Sequence, residues 1–90
     1  MPYISKVDRE KYDHAISVIV AILSELGDHQ VGGHLNYILY SIVKRYLDNK
    51  GIKYHRINCL LGSIECCKQE IYRRLAVPYE DLKIKSEGDI

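Results

Sequence analysis

The stretch YRRLAVPYED, residues 72 to 81, sets two tyrosines, two arginines, two acids and a proline within ten positions. Guanidinium groups fork onto phosphate or carboxylate oxygens, and tyrosine rings stack on flat ligands while keeping a polar tip in water. Tyr72, Arg73, Arg74 and Tyr79 are therefore candidates for holding a small anion that carries an aromatic part. The same residues also have a purely structural use. Pro78 with Glu80 and Asp81 has the composition of a helix start, and Arg73 and Arg74 could pair with those acids across a kink.

Lys68 is the second place where chemistry is suggested. It falls in the same angular sector as Ile57, Leu61, Ile64, Ile71 and Leu75, so a cation stands within an apolar stripe. Such a lysine either carries its amine to the rim of the apolar surface or meets an anion there. Beside it, Asn58, Glu65 and Tyr72 recur every seven residues, which keeps them within a sector of about 40°. Asn58, Glu65, Lys68 and Tyr72 thus form a polar shoulder along a core face. Glu65 and Lys68 are three apart, and an ion pair of a few tenths of a kcal/mol would account for both. Asn36 lies on the shoulder of another apolar stripe, where its amide serves either a ligand's polar edge or a local hydrogen bond.

Three helical segments must position these groups. The first is expected from Asp8, as N-cap, to Leu26, with Gly27 as its stop, and its stripe is Tyr12, Ile16, Ile19, Leu23 and Leu26. The glycine-rich GDHQVGG reads as a flexible connection. The second helix runs from near His34 to near Asn49, with Leu35, Ile38, Leu39, Ile42 and Tyr46 as its stripe and Gly51 following its end. The third runs from about Tyr54 to Val77, where Pro78 ends or kinks it, and a short terminal helix reaches about Lys85. Opposite the third stripe, Cys59, Gly62, Ser63 and Cys66 are small enough for another helix or a second subunit to approach. The expected fold is all-α: one domain over residues 1–90, a small three-helix bundle with a short C-terminal helix after a proline kink, and oligomeric.

Bulk properties narrow the function. Thirteen Lys and Arg against twelve Asp and Glu leave a formal charge of +1, too little to draw the chain onto nucleic acid. No apolar run approaches the roughly 18 residues that span a bilayer, and MPYISKVDRE lacks the apolar core of a secretory signal, so a cytoplasmic location is expected and a membrane is not. Cys59, Cys66 and Cys67 are odd in number and two are adjacent, which argues against a disulfide framework. His14, His29, His34 and His55 are scattered, and neither a metal nor a cofactor is expected. Eight Tyr with no Phe or Trp point to many half-buried rings at edges and interfaces.

Taken together, HLNY at 34–37, YHRIN at 54–58, GSIECCKQEIYRR at 62–74, PYED at 78–81 and EGD at 87–89 resemble a family of small uncharacterised proteins encoded by bacteriophages and prophages. The family pattern runs L-N-Y, then I-N…G-x-L-E-x-x-K-x-E-x-Y-R-R, then P-Y-E-D-x-K-I and a terminal G-D. Asn36, Asn58, Glu65, Lys68, Glu70, Tyr72, Arg73, Arg74 and Tyr79 all fall on motif positions, whereas Ile64, Ile71 and Leu82 depart from it. The match covers about residues 34–90 with PYI at 2–4, leaving the first helix outside. The resemblance implies a phage-like origin and a bacterial host cytoplasm, not a reaction.

Two functions from different classes follow as expectations. One is a non-enzymatic protein that sequesters a small nucleotide-derived anion, such as an immune signalling molecule, through Asn36, Asn58, Glu65, Lys68, Tyr72, Arg73, Arg74 and Tyr79. The other is an interaction protein that binds and inhibits or redirects a host protein through the PYED region. An enzyme would need an acid or base of shifted pKa in a cleft, for which Glu65 beside Lys68 is the only pair to name, and no catalytic residue is expected.

Overall fold

A computed structural model of the chain describes residues 3–90, so Pro2 of the PYI match lies outside the described residues. The order is α1 (Lys6–Ser24), α2 (Val31–Lys50), α3 (Tyr54–Ile71), a π-helical turn (Tyr72–Ala76) and α4 (Val77–Glu87). No strand occurs among the described residues. By contact the chain forms two units, residues 1–42 and 43–90, with the boundary inside α2.

In the first unit, α1 starts earlier than Asp8. Ser5 is the N-cap, in extended backbone, and its Oγ accepts the Asp8 N–H at 3.2 Å. A hydroxyl three residues ahead satisfies one of the orphan donors of the first turn, and Asp8 then sits where the helix dipole favours an anion. After Ser24 the chain is held by Gly27 N–H donating to Gln30 Oε1 at 3.0 Å and Gln30 N–H donating to Gly27 O at 2.9 Å. That closed turn replaces much of the expected flexible connection, and Gly32 and Gly33 are already helical. Ile19, Leu23, Leu26, Val31 and Ile38 are half-buried, while Tyr12 and Ile16 of the expected stripe are exposed.

In the second unit, α2 and α3 meet at a corner built on Gly51. Its φ of 101° takes the left-handed region that ends a helix, and its N–H donates to Leu47 O at 2.7 Å. Arg56 then reaches back from α3, donating through Nη1 to Lys50 O at 2.6 Å and Gly51 O at 2.9 Å. A guanidinium placed on the last carbonyls of α2 supplies donors the helix end lacks and a cation its dipole favours.

Of the two outcomes expected at Pro78, an end or a kink of the third helix, the end does not occur. Helical backbone continues from Tyr54 to Glu87, and the chain passes Pro78 by widening to a π turn, in which Val77 N–H donates to Tyr72 O, five residues back. Proline removes one N–H and its ring presses on the carbonyl four residues earlier, so a wider turn just upstream relieves both problems without breaking the helix. Pro78 is the second residue of α4, immediately after the wide turn. The end comes at Gly88, φ 91°, whose N–H donates to Ile84 O at 2.9 Å.

The all-α class and the three main helices match the sequence pattern, but among the described residues neither unit has a buried core of the expected kind. Leu47, 7% exposed, is the only buried side chain among the described residues, and stripe residues such as Leu35, Ile42, Leu61 and Leu75 remain exposed. Periodicity establishes that a helix face seeks cover; it does not establish what covers it.

Candidate functional site

The π turn begins two residues beyond Glu70, and that carboxylate pairs with both of its arginines, Arg73 and Arg74. Arg73 Nη2 donates to Glu70 Oε2 at 2.8 Å, and Arg74 Nη1 lies 3.5 Å from Glu70 Oε1. One oxygen therefore faces each arginine. The Arg73 hydrogen bond holds the Glu70 carboxyl below its ordinary pKa, against partial desolvation, with the charges of Arg73 and Arg74 adding to the effect. Glu70 is 23% exposed at its side chain, while both arginines project into solvent.

This arrangement corrects one expectation. Arg73 and Arg74 pair with Glu70 and not with Glu80 and Asp81, because the chain does not reverse at Pro78. Along continuing helix, residues six to eight apart are about 9–12 Å apart in rise, beyond the reach of an ordinary pair. Glu70 was legible as the partner, since i,i+3 and i,i+4 spacing puts it beside both arginines.

The Glu65–Lys68 pair forms as its spacing predicts, with Lys68 Nζ 3.1 Å from Glu65 Oε2, both well exposed. An open surface depression of about 600 Å³ is lined by Cys66, Lys68, Gln69, Glu70, Tyr72 and Arg73. A second, of about 330 Å³, is lined by Glu70, Ile71, Arg74 and Leu75, so Glu70 borders both. A third, of about 270 Å³, lies at the α2–α3 corner between Tyr46, His55, Arg56, Cys59 and Leu60.

Of the sequence-predicted set, Lys68, Tyr72 and Arg73 share the first depression, with Glu65 tied to Lys68, and Arg74 lines the second. Asn58 stands on α3 ten residues before Lys68, about 15 Å along the axis, and so outside that group. Tyr79 is on α4, where Lys83 Nζ lies 5.8 Å from its ring centroid, a cation–π contact within the helix. Asn36 stands on α2 in the first unit. Arg56 was missed as a structural residue, although a cation a few residues past a Lys-Gly helix end is a recognisable capping signal.

Chemically, the depression offers two cations and a phenol ring, with carboxylates already on both cations. Exposed i,i+3 pairs contribute only a few tenths of a kcal/mol, so an incoming anion displaces them at small cost. No group of His, Cys, Asp and Glu among the described residues could hold a metal ion. No helix among them is long and apolar enough to cross a membrane.

The model of a domain of unknown function, DUF6899, matches residues 1–90. The chain belongs to this family. The DUF6899 match includes α1, which the motif resemblance, starting at residue 34, left outside. No curated protein and no solved structure matches the chain.

Proposed function

We propose that this DUF6899 chain is a non-enzymatic binding protein that sequesters a small anionic, nucleotide-like ligand. The observation that carries the reading is the depression at the end of α3, where Lys68 and Arg73 flank Tyr72. Lys68 and Arg73 neutralise phosphate, Tyr72 stacks on the base or ribose, and Glu65 and Glu70 keep the cations extended until a stronger anion takes their place. The resemblance to phage-encoded proteins supports an immune nucleotide signal in a bacterial host as the cargo. Native mass spectrometry with a pooled panel of cyclic oligonucleotides and ADP-ribose derivatives tests this. Stoichiometric, unmodified ligand that is lost in the Lys68→Ala/Arg73→Ala double variant is the expected result. Bare protein at every mass overturns the reading for that panel.

A second reading, binding of a host protein, is favoured by a different observation: Tyr72, Leu75, Tyr79 and Leu82 are all exposed across the π turn and α4. Tyrosines with leucines suit a protein contact. Capture of one host protein that survives Lys68→Ala and Arg73→Ala but not Tyr79→Ala would select this reading over the first.

A further inference from the structure

The apolar face of α3 has a stricter order than general amphipathicity. Tyr54, Ile57, Leu61, Ile64, Lys68 and Ile71 alternate in steps of three and four along the whole helix, which is the a/d seam of a seven-residue repeat. The π turn starts at Tyr72 and shifts the phase, so the seam ends where α3 ends. Along it, Leu61 is 62% exposed, Ile71 54% and Ile64 38%. Only Ile57, beside the α2–α3 corner, is half-buried.

We propose that this seam is a self-association surface, on which α3 of a second copy packs antiparallel by knobs-into-holes contacts. The seam's own charges argue for a second copy as its cover: Lys68 and Glu65 lie side by side, 3.1 Å apart, so the face is complementary in charge to a reversed copy of itself.

Lys68 identifies the partner and its direction. In a parallel, in-register pair the two Lys68 ammonium groups would face each other across one desolvated layer, and like charges there are destabilising. In an antiparallel pair centred between Ile64 and Lys68, Lys68 lies across from the partner's Ile64, next to the partner's Glu65. Leu61 then lies across from the partner's Ile71. Two-fold symmetry repeats each contact, so one surface is its own complement. Glu65, already 3.1 Å from Lys68 within one chain, becomes an acceptor that both copies share.

The inference goes beyond the ligand reading and does not depend on it. Lys68 belongs to both surfaces, so the test uses Leu61, Ile64 and Ile71, none of which lines the first depression. In a Cys59→Ser/Cys66→Ser/Cys67→Ser background, Leu61→Cys and Ile71→Cys chains are oxidised alone and mixed. Antiparallel pairing gives a disulfide-linked dimer only in the mixture, because like positions are then offset by about 15 Å along the axis. Cross-linking of each variant alone, or none in the mixture, overturns the antiparallel seam. With the three native cysteines present, light scattering on a sizing column should show Ile64→Asp losing the dimer at least tenfold in affinity while helical circular dichroism is retained. A monomeric parent chain, or a dimer that Ile64→Asp leaves intact, as when a different surface or partner covers α3, also overturns it.

Discussion

Arg56 illustrates how one side chain holds two helices. Its guanidinium spans the last carbonyls of α2 and anchors the first turn of α3 to them, while Gly51 supplies the backbone angle that brings them within reach. A Cβ on Gly51 would meet Arg56 Nη1 at 3.2 Å and would also occupy a φ of 101° that side-chain-bearing residues rarely adopt. Gly51→Ala should therefore lower stability by about 1 kcal/mol or more, since strain and crowding act together. Arg56→Ala should lower it by about 1 kcal/mol through the lost carbonyl bonds, and Arg56→Lys should recover only part, as one ammonium cannot match the planar fork. Urea unfolding followed at 222 nm measures both. Glu70 gives a pH dependence at the same scale. Its folded pKa lies below the unfolded value of 4.5, so the unfolded chain binds a proton first as pH falls. The contribution is fully present above that value and is lost as pH drops through the lower folded pKa. Glu70→Gln should abolish the difference between unfolding midpoints at pH 7 and pH 3 that this group contributes, and an unchanged pH profile would show that the arginine pairs carry no stability.

At the scale of elements, the π turn is a response to one residue. Pro78→Ala restores a backbone donor and removes the ring, so the segment from Tyr72 to Ala76 can return to α-helical hydrogen bonding. The expected result is greater ellipticity at 222 nm and a stability gain of at least about 1 kcal/mol, bounded above by the roughly 3 kcal/mol that proline costs in a helix interior. No gain would mean that Tyr72, Arg73 and Arg74 hold the wide turn independently of Pro78. The same element shows where sequence reasoning reaches and where it stops. The three main helices were legible because apolar residues recur at helical period, and the Glu65–Lys68 pair was legible because i,i+3 neighbours touch in any helix. The starts and stops were less so: Ser5 outcompeted Asp8 as a cap, Gly32 and Gly33 were drawn into α2, and Pro78, expected to end or kink the third helix, follows a wide turn without ending it. Each miss is a local preference of about 1–3 kcal/mol that its neighbours overrode. Within the candidate site, spacing revealed Lys68, Tyr72 and Arg73 as neighbours, but grouping Asn58 with them rested on angle alone and ignored the rise along the axis.

For the molecule as a whole, the balance between apolar faces and buried volume governs stability. Leu47 alone is buried among the described residues, yet large aliphatic and tyrosine side chains recur along every helix. The reading of amphipathic stripes as bundle core was sound in pattern, since each stripe exists; it failed to name the cover because periodicity carries no information about which chain supplies it. If a second copy supplies it, folding and association are one equilibrium, and the free energy of unfolding contains the protein concentration. The apparent melting temperature should then rise by several degrees between micromolar and hundred-micromolar protein, with the transition remaining single. Saturating concentration should also suppress the effect of Gly51→Ala less than that of Ile64→Asp, because the first acts within one chain and the second on the shared face. Differential scanning calorimetry across that range decides the matter: a melting temperature independent of concentration would mean that the exposed faces are compatible with a stable single chain, and the antiparallel seam would lose its energetic motive.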